Sequence, residues 1–146
     1  MDLGLIRPSS NPYASSVVMV KKKDGTLRMC IDFRSLNKKT VKNRYPIPRI
    51  DGLMEEIHWD KLFSKIDLRS SYHQFRMEEE DIPKTAFRFH YGHFVFIAML
   101  FGLTNAHGTF QLGVNNIFHK QLHMFVLVFF NEIFIYSKTW KEHLHI

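Results

Sequence analysis

The sequence is poor in cysteine and in long apolar runs, and each scarcity excludes a class of protein. Cys30 is the single cysteine, so the chain can form no internal disulfide and no zinc site built from several cysteines. The longest apolar run, Phe94 to Leu103, is well short of the ~18 residues of a membrane-spanning helix. The opening MDLGLIRPSS lacks the basic start and apolar core of a secretory signal. We therefore expect an intracellular protein with no membrane partner.

Acidic residues are also scarce relative to basic ones. Fourteen Asp and Glu stand against twenty Lys and Arg, which gives a net charge of +6 and a pI near 9.5. This balance is compatible with a polyanionic partner such as nucleic acid, and equally with a merely basic surface. A hydrophobic content of 45% and a charged content of 23% are ordinary for a globular protein, which argues against disorder. The 146 residues are enough for one domain with its own core.

The first half of the chain predicts a hairpin, a basic connection, a helix and a strand. Residues 1–13 contain Pro8 and Pro12 and predict an irregular lead-in. SSVVMVK and LRMCIDF flank Asp24-Gly25, a strand–turn–strand pattern with one basic face. Residues 37–49 predict an exposed connection, and residues 50–57 have the apolar spacing of a one-sided helix. A strand follows over residues 62–68, with Asp67 near its end.

The second half adds two hairpins and a longer helix. Phe87 to Phe94, with Gly92 between the strands, predicts the first hairpin. Thr104 or Asn105 could cap the helix, whose apolar positions are Ala106, Phe110, Val114 and Ile117. Val126–Phe130 and Ile133–Tyr136 predict the last hairpin, with Asn131-Glu132 at its tip. The mixed order of elements favours the α+β class.

The polar pair at this tip has two interpretations. A hairpin tip is the one place in a buried sheet where two polar side chains reach solvent or a ligand. Alternatively, Asn131 is a turn residue that tolerates positive φ, and Glu132 is simply solvated.

Five segments in order resemble the reverse transcriptase domain of Gypsy-type LTR retrotransposons. They are RPSSNPYASSVVMVKKKDGTLRMCIDFRSLN, YPIPRIDGLMEEI, FSKIDLRSSYHQFRM, KTAFRFHYGHFVFIAMLFGLTNAHGTFQ and VLVFFNEIFIYSKTWKEHL. The resemblance implies an α+β right-hand polymerase fold, with fingers and a partial antiparallel palm sheet packed by helices. It also implies templated addition of deoxynucleoside triphosphates to a primer on an RNA or DNA template. We expect residues 1–146 to be a single domain fragment without the thumb, RNase H and integrase regions.

The resemblance also assigns the metal site. The family uses two Mg²⁺, which suit hard carboxylate oxygens, held by one Asp at the end of a palm strand and two adjacent Asp at a hairpin tip. Asp67 matches the first, and Asn131 and Glu132 occupy the other two positions. The expected catalytic residues are thus Asp67, Asn131 and Glu132, with Asp67 and Glu132 as metal ligands. Because Asn131 has lost its charge, we expect one or no Mg²⁺ and a severely weakened or lost activity.

Four further residues match nucleotide-binding positions of the family. Lys22 and Arg28 match residues that hold the triphosphate, Tyr72 matches the ring beneath the sugar, and Phe101 matches the lining of the nucleotide pocket. The alternatives are a solvated basic hairpin for Lys22 and Arg28, sheet packing for Tyr72 and a core position for Phe101.

A second departure from the family concerns the segment before the longer helix. The family usually reads MPFGLTNAPATFQ, whereas this chain carries Leu100, His107 and Gly108 in place of Pro, Pro and Ala. Pro at the start of a helix is preorganised and Gly is costly within one, so the changes at His107 and Gly108 should weaken the helix start. Two alternatives to an active enzyme remain open: a non-catalytic nucleic-acid-binding module, and a remnant without function.

Overall fold

The computed structural model describes residues 4–146, which form two compact units. The first unit runs to Lys42 and resumes over Tyr72–Ala106, and the second comprises Asn43–Ser71 and His107–Ile146. In chain order the elements are β1 (Ile6–Pro8), β2 (Ser15–Lys21), β3 (Leu27–Ile31), α1 (Arg34–Lys39), α2 (Ile50–Glu56), β4 (Leu62–Asp67), β5 (Phe87–Phe89), β6 (Gly92–Phe96), α3 (Ala106–Ile117), β7 (Val126–Phe129), β8 (Glu132–Ser137) and α4 (Trp140–His143). Within the described part of the chain, no helix has the length and apolarity to cross a membrane.

The first unit is built on a five-stranded sheet with the order β1-β6-β5-β2-β3. β2 and β5 pair in parallel, and the other neighbours are antiparallel. Its core is aromatic, with Phe33, Phe87, Phe94, Phe96 and Leu100 buried together. The ring centroids of Phe87 and Phe96 are 5.0 Å apart, within the distance at which aromatic pairs add to simple burial.

A buried threonine connects the sheet of the first unit to the 3₁₀ helix Ile82–Thr85. The Thr85 side chain is fully buried, and its hydroxyl accepts a hydrogen bond from Phe96 N at 2.8 Å. The same hydroxyl lies 2.7 Å from Ile82 O, to which it can donate. Thr85 therefore supplies the partner of a buried backbone N–H at the end of β6.

The second unit contains an antiparallel sheet with the order β4-β8-β7. Leu53 of α2 packs with Leu127 and Tyr136 of the sheet. The Tyr136 hydroxyl donates to Glu56 Oε1 at 2.8 Å. Burial, followed by this hydrogen bond, raises the pKa of Tyr136 well above its usual value. The phenol therefore remains protonated and holds the last turn of α2 on the sheet.

Most of the predicted elements are present, and the α+β composition agrees with the prediction. The two predicted hairpins β2–β3 and β5–β6 form as expected. The helix predicted over residues 50–57 is α2. In α3, Phe110 and Val114 are buried as predicted, but Ile117 is 69% exposed. Ile117 is the last residue of the helix.

Two predictions for irregular segments were wrong in part. Within the expected lead-in, β1 forms and pairs with β6, with Ile6 opposite Phe96; residues 1–3 lie outside the described residues. Pro8 is tolerated because β1 is an edge strand, where a missing N–H costs no ladder bond. In the expected connection over residues 37–49, the first three residues belong to α1, and the Asn37 amide donates to Gly102 O at 2.7 Å.

The buried hydroxyl of Thr85 generates the first prediction. Thr85→Val keeps the shape of the side chain but leaves Phe96 N–H without an acceptor, so we expect a loss of about 1–3 kcal/mol in the free energy of unfolding. Urea denaturation measures the change. Thr85→Ser is the control, because it retains the hydroxyl and loses only a methyl group. A loss for Thr85→Val no larger than that for Thr85→Ser would contradict the assignment.

Candidate functional site

The register of one strand pair brings the two predicted acidic residues together. β4 and β8 are antiparallel, and Asp67, the last residue of β4, lies opposite Glu132, the first residue of β8. The pairing continues through six residue pairs to Leu62 and Ser137. Opposed residues have Cβ atoms about 4.5–5.5 Å apart, so the ladder holds both carboxylates at the same end of the sheet.

Asn131 closes this end of the sheet by two hydrogen bonds. Its side-chain Nδ2 donates to Asp67 Oδ1 at 3.0 Å, and its carbonyl accepts from Leu68 N at 3.1 Å. The amide therefore presents a donor, rather than a ligand oxygen, to the Asp67 carboxylate.

A cation that the sequence reasoning missed lies beside Glu132. Lys65 Nζ is 2.5 Å from Glu132 Oε1, and both side chains are partly exposed. The hydrogen bond to Glu132, opposed by desolvation and assisted by the charges of Glu132 and Asp67, raises the pKa of Lys65. The signal was available, because Lys65 and Asp67 are two residues apart and side chains at that spacing share a face of a strand.

The predicted position of the hairpin tip was wrong by one residue. The turn is formed by Phe130 and Asn131, whereas Glu132 is already in β8 and pairs with Phe129. Phe130, not Asn131, takes the positive φ, at 52°. A bulky residue in this region is strained, so its surroundings must fix it.

Gln111 of α3 is a second residue that the sequence reasoning missed. Its side chain is 1% exposed, and its Oε1 accepts from Phe130 N at 3.1 Å. Its Nε2 donates to Val128 O at 3.1 Å and to Asn115 Oδ1 at 3.0 Å. A glutamine between Phe110 and Val114, on the apolar face of the helix, was the available signal.

Phe101 contacts two of the other three residues predicted to bind the nucleotide, and all three lie in the first unit. The guanidinium carbon of Arg28 lies 5.4 Å from the centroid of the Phe101 ring, a cation–π distance. Phe101 and Tyr72 meet edge to face, with centroids 5.8 Å apart. Burial raises the pKa of Tyr72, whereas Phe101 is 57% exposed and is therefore not a core residue.

Lys22, the fourth of these residues, lies in the turn of the β2–β3 hairpin. Its backbone N–H donates to Thr26 O at 2.8 Å, and its carbonyl accepts from Gly25 N at 3.1 Å. Asp24 Oδ1 accepts from both the backbone N–H and the hydroxyl of Thr26. The turn is thus well defined, and the nucleotide-binding role of all four residues stays a prediction.

Two of the three other departures from the family pattern, Leu100 and His107, have packing partners. Leu100 is a member of the aromatic core of the first unit. His107 packs edge to face on Phe130 with centroids 5.4 Å apart. A Cβ at Gly108 would lie 3.4 Å from Tyr45 Cβ, an ordinary contact. The surroundings therefore do not require a glycine at this position.

The residues at the end of the β4–β8 ladder do not fit a pair of Mg²⁺ ions. An amide donor faces Asp67, and an ammonium group holds Glu132. Over residues 4–146, no group of three or more His, Cys, Asp and Glu side chains is arranged to hold a metal ion. Mg²⁺ needs several oxygen ligands in near-octahedral geometry, and here the two carboxylates are matched with hydrogen-bond donors instead.

A family comparison decides the class of the protein. The sequence model of the family described as reverse transcriptase (RNA-dependent DNA polymerase) matches residues 20–146. The chain belongs to the reverse transcriptase family. It is 41% identical, over 99% of its length, to the retrovirus-related Pol polyprotein from transposon 297 of Drosophila melanogaster. It is 46% identical over 82% of its length to an RNA-directed DNA polymerase homolog of Oenothera berteroana, of which it covers 86%.

The solved structures that resemble this reverse transcriptase domain share its fold. A foamy viral protease–reverse transcriptase in complex with an RNA/DNA hybrid superposes with a TM-score of 0.87 at 21% identity, over 97% of this chain and 19% of that one. The same viral protein in complex with double-stranded DNA gives 0.86 at 22% identity, over 97% and 25%. These likenesses confirm the predicted α+β polymerase fold.

The chain spans only a small part of the polyproteins that it matches. It covers 14% of the Drosophila protein and 11% of the Tf2-3 polyprotein of Schizosaccharomyces pombe, to which it is 38% identical. The relatives confirm a retrotransposon reverse transcriptase domain, whereas the Gypsy subtype and the single-domain boundaries stay predictions.

The hydrogen bond from Asn131 to Asp67 generates the second prediction. Asn131→Asp replaces a donor by a second carboxylate, so without divalent ions we expect a loss of about 1 kcal/mol in the free energy of unfolding at pH 7. Like-charge repulsion should raise the pKa of one carboxyl in the folded state. The loss should therefore shrink as the pH falls through that raised value and protonates the pair. Urea denaturation in EDTA at several pH values measures it.

Asn131→Ala is the control for this experiment. It removes the same hydrogen bond without adding charge, so its effect should not depend on pH in this way. Equal losses for both variants at every pH would contradict the repulsion.

Proposed function

We propose that this domain binds primer–template nucleic acid and a deoxynucleoside triphosphate, as a reverse transcriptase whose nucleotidyl transfer is severely weakened or lost. One observation carries the second half of the proposal: Asp67 and Glu132 are matched with donors from Asn131 and Lys65. The first half rests on family membership and on the contacts among Arg28, Tyr72 and Phe101.

The residues of the first unit have chemistry suited to the nucleotide. Arg28 is exposed, and its guanidinium can form two parallel hydrogen bonds to phosphate oxygens. The Phe101 ring restricts where that group can lie, which lowers the entropy lost on binding. Tyr72, edge-on to Phe101, would lie beneath the sugar and exclude a ribose 2′ hydroxyl, and Lys22 would add a second cation for the triphosphate.

The second unit has lost the charge that the chemistry requires. Divalent ions supply the family's reaction with charge neutralisation at the attacking and leaving oxygens. Asn131 contributes no charge, and the Lys65 ammonium competes for Glu132. Removal of an outer partner of a metal ligand already lowers affinity about 10–100-fold, so loss of a ligand carboxylate should lower it further.

A metal titration provides the third prediction. Mn²⁺, a paramagnetic substitute for Mg²⁺, should bind the double variant Asn131→Asp, Glu132→Asp at least about tenfold more tightly than the natural chain. Broadening of the NMR signals of Asp67 and its neighbours measures binding, and the double variant that also carries Asp67→Ala is the control. Equal affinities for the natural chain and the double variant would overturn the proposal that the catalytic centre is lost.

A second candidate function, nucleic-acid binding without catalysis, is favoured by the basic side chains before α2. Lys38, Lys39, Lys42 and Arg44 are exposed or partly exposed, and the chain carries +6 overall. Cations of this kind bind phosphates without reading sequence and release counterions as they do so.

The salt dependence of binding provides the fourth prediction. The natural chain should bind a labelled RNA/DNA hybrid with an affinity that falls steeply between 50 and 200 mM salt, about tenfold or more. Asp67→Ala should leave the affinity unchanged, whereas Lys42→Ala with Arg44→Ala should reduce both affinity and salt slope. Binding that needs Asp67 and a divalent ion would contradict this candidate and favour an intact catalytic centre.

A further inference from the structure

Gln111, Asn115 and Tyr45 form a chain of hydrogen bonds that ends at the turn of the β7–β8 hairpin. Phe130 N donates to Gln111 Oε1 at 3.1 Å, Gln111 Nε2 donates to Asn115 Oδ1 at 3.0 Å, and Asn115 Nδ2 donates to the Tyr45 hydroxyl at 3.0 Å. All three side chains belong to the second unit. The chain therefore connects the residues before α2 to the hairpin through α3.

The buried amide of Gln111 uses all of its hydrogen-bonding groups in this arrangement. Its second Nε2 hydrogen is donated to Val128 O at 3.1 Å, so one side chain bonds β7 and the turn at the same time. An amide that is 1% exposed would cost about 1–3 kcal/mol if left without partners. The atoms that Gln111 holds therefore also fix the orientation of its side-chain amide.

The turn itself requires an external constraint. Phe130 has a φ of 52°, which an aromatic residue adopts only when its surroundings impose it. Gln111 holds its N–H on one side of the turn, and Leu68 N holds the next carbonyl, that of Asn131, on the other at 3.1 Å. The Asn131 side chain that contacts Asp67 is attached to the backbone between these two anchors.

We propose that Gln111 is a positioning residue, which fixes the turn at Phe130 and thereby sets where Asn131 and Glu132 meet Asp67. Asn115 and Tyr45 orient its amide. This assignment rests on the proposed function in one respect, because it treats the end of the β4–β8 ladder as the reaction site of the family. The positioning effect itself can be measured without any reaction.

Amide hydrogen exchange distinguishes positioning from general stability and provides the fifth prediction. In Gln111→Met, which has a similar length and no hydrogen-bonding groups, exchange at Phe130 N–H and Leu68 N–H should accelerate about tenfold or more. Tyr136 N–H, which donates to Phe125 O at 2.9 Å in the same hairpin, should keep its rate. If exchange accelerated at all three amides together, Gln111 would only stabilise the unit in general, which would overturn the proposal. An unchanged rate at Leu68 N–H would overturn it as well.

A second pair of variants keeps the test decisive if Gln111→Met does not fold. Asn115→Ala leaves Gln111 in place but removes the partner of its amide, so the same two amides should accelerate by a smaller factor. Asn116→Ala is the matched control, since this neighbouring asparagine is exposed and outside the chain of hydrogen bonds. Equal exchange rates in Asn115→Ala and Asn116→Ala would contradict the role of Asn115.

The Mn²⁺-binding variant connects positioning to the site. In the Asn131→Asp, Glu132→Asp background, adding Gln111→Met should weaken Mn²⁺ binding about tenfold, as expected for an outer partner of metal ligands. Unchanged Mn²⁺ affinity would overturn the proposal. If this background binds no Mn²⁺ even with Gln111 intact, the end of the β4–β8 ladder is not the metal site of the family. The exchange rates then still decide whether Gln111 positions the turn.

Discussion

The antiparallel pairing of β4 with β8 is the constraint on which the candidate site depends. It places Asp67 directly opposite Glu132, although the two are far apart in sequence. Packing of Leu53 against Leu127 and Tyr136 fixes the sheet from its buried side. A slip of one residue would turn every side chain of β4 to the other face. The Asp67 side chain would then no longer lie beside Asn131 and Glu132.

At the end of this ladder, both carboxylates have direct hydrogen-bond partners. Two carboxylates at adjacent positions repel each other unless a cation lies nearby. Lys65 provides that cation for Glu132, and the neutral amide of Asn131 removes a third negative charge while donating to Asp67. Lys65 therefore offsets one of the two carboxylate charges and Asn131 donates to the other carboxylate, so both have a partner without a divalent ion.

The sequence predicted the elements whose pattern is local and missed the features set by distant contacts. The β2–β3 hairpin follows from Asp24-Gly25 between two alternating segments, and the strand predicted over residues 62–68 forms as β4, one residue shorter. β1 could not be predicted, because three residues become a strand only through pairing with β6. The turn shifted by one residue for a similar reason: local propensity favours positive φ at Asn131, but a buried Gln111 holds it at Phe130. The spacing of Lys65 and Asp67 placed them on one face, but the pairing of Lys65 with Glu132 exists only in the folded sheet.

The departures from the family pattern separate into two physical kinds. Leu100 packs in the aromatic core and His107 packs on Phe130, so these changes replace one set of packing contacts by another. Asn131 instead removes a negative charge at the end of the β4–β8 ladder, which no packing contact can restore. Under the function proposed above, stability of the fold and competence for metal chemistry depend on different residues. A sequence can therefore lose the second while the buried contacts that maintain the first remain, and the hydrogen bonds from Gln111 preserve the shape of the tip whichever ligands it carries.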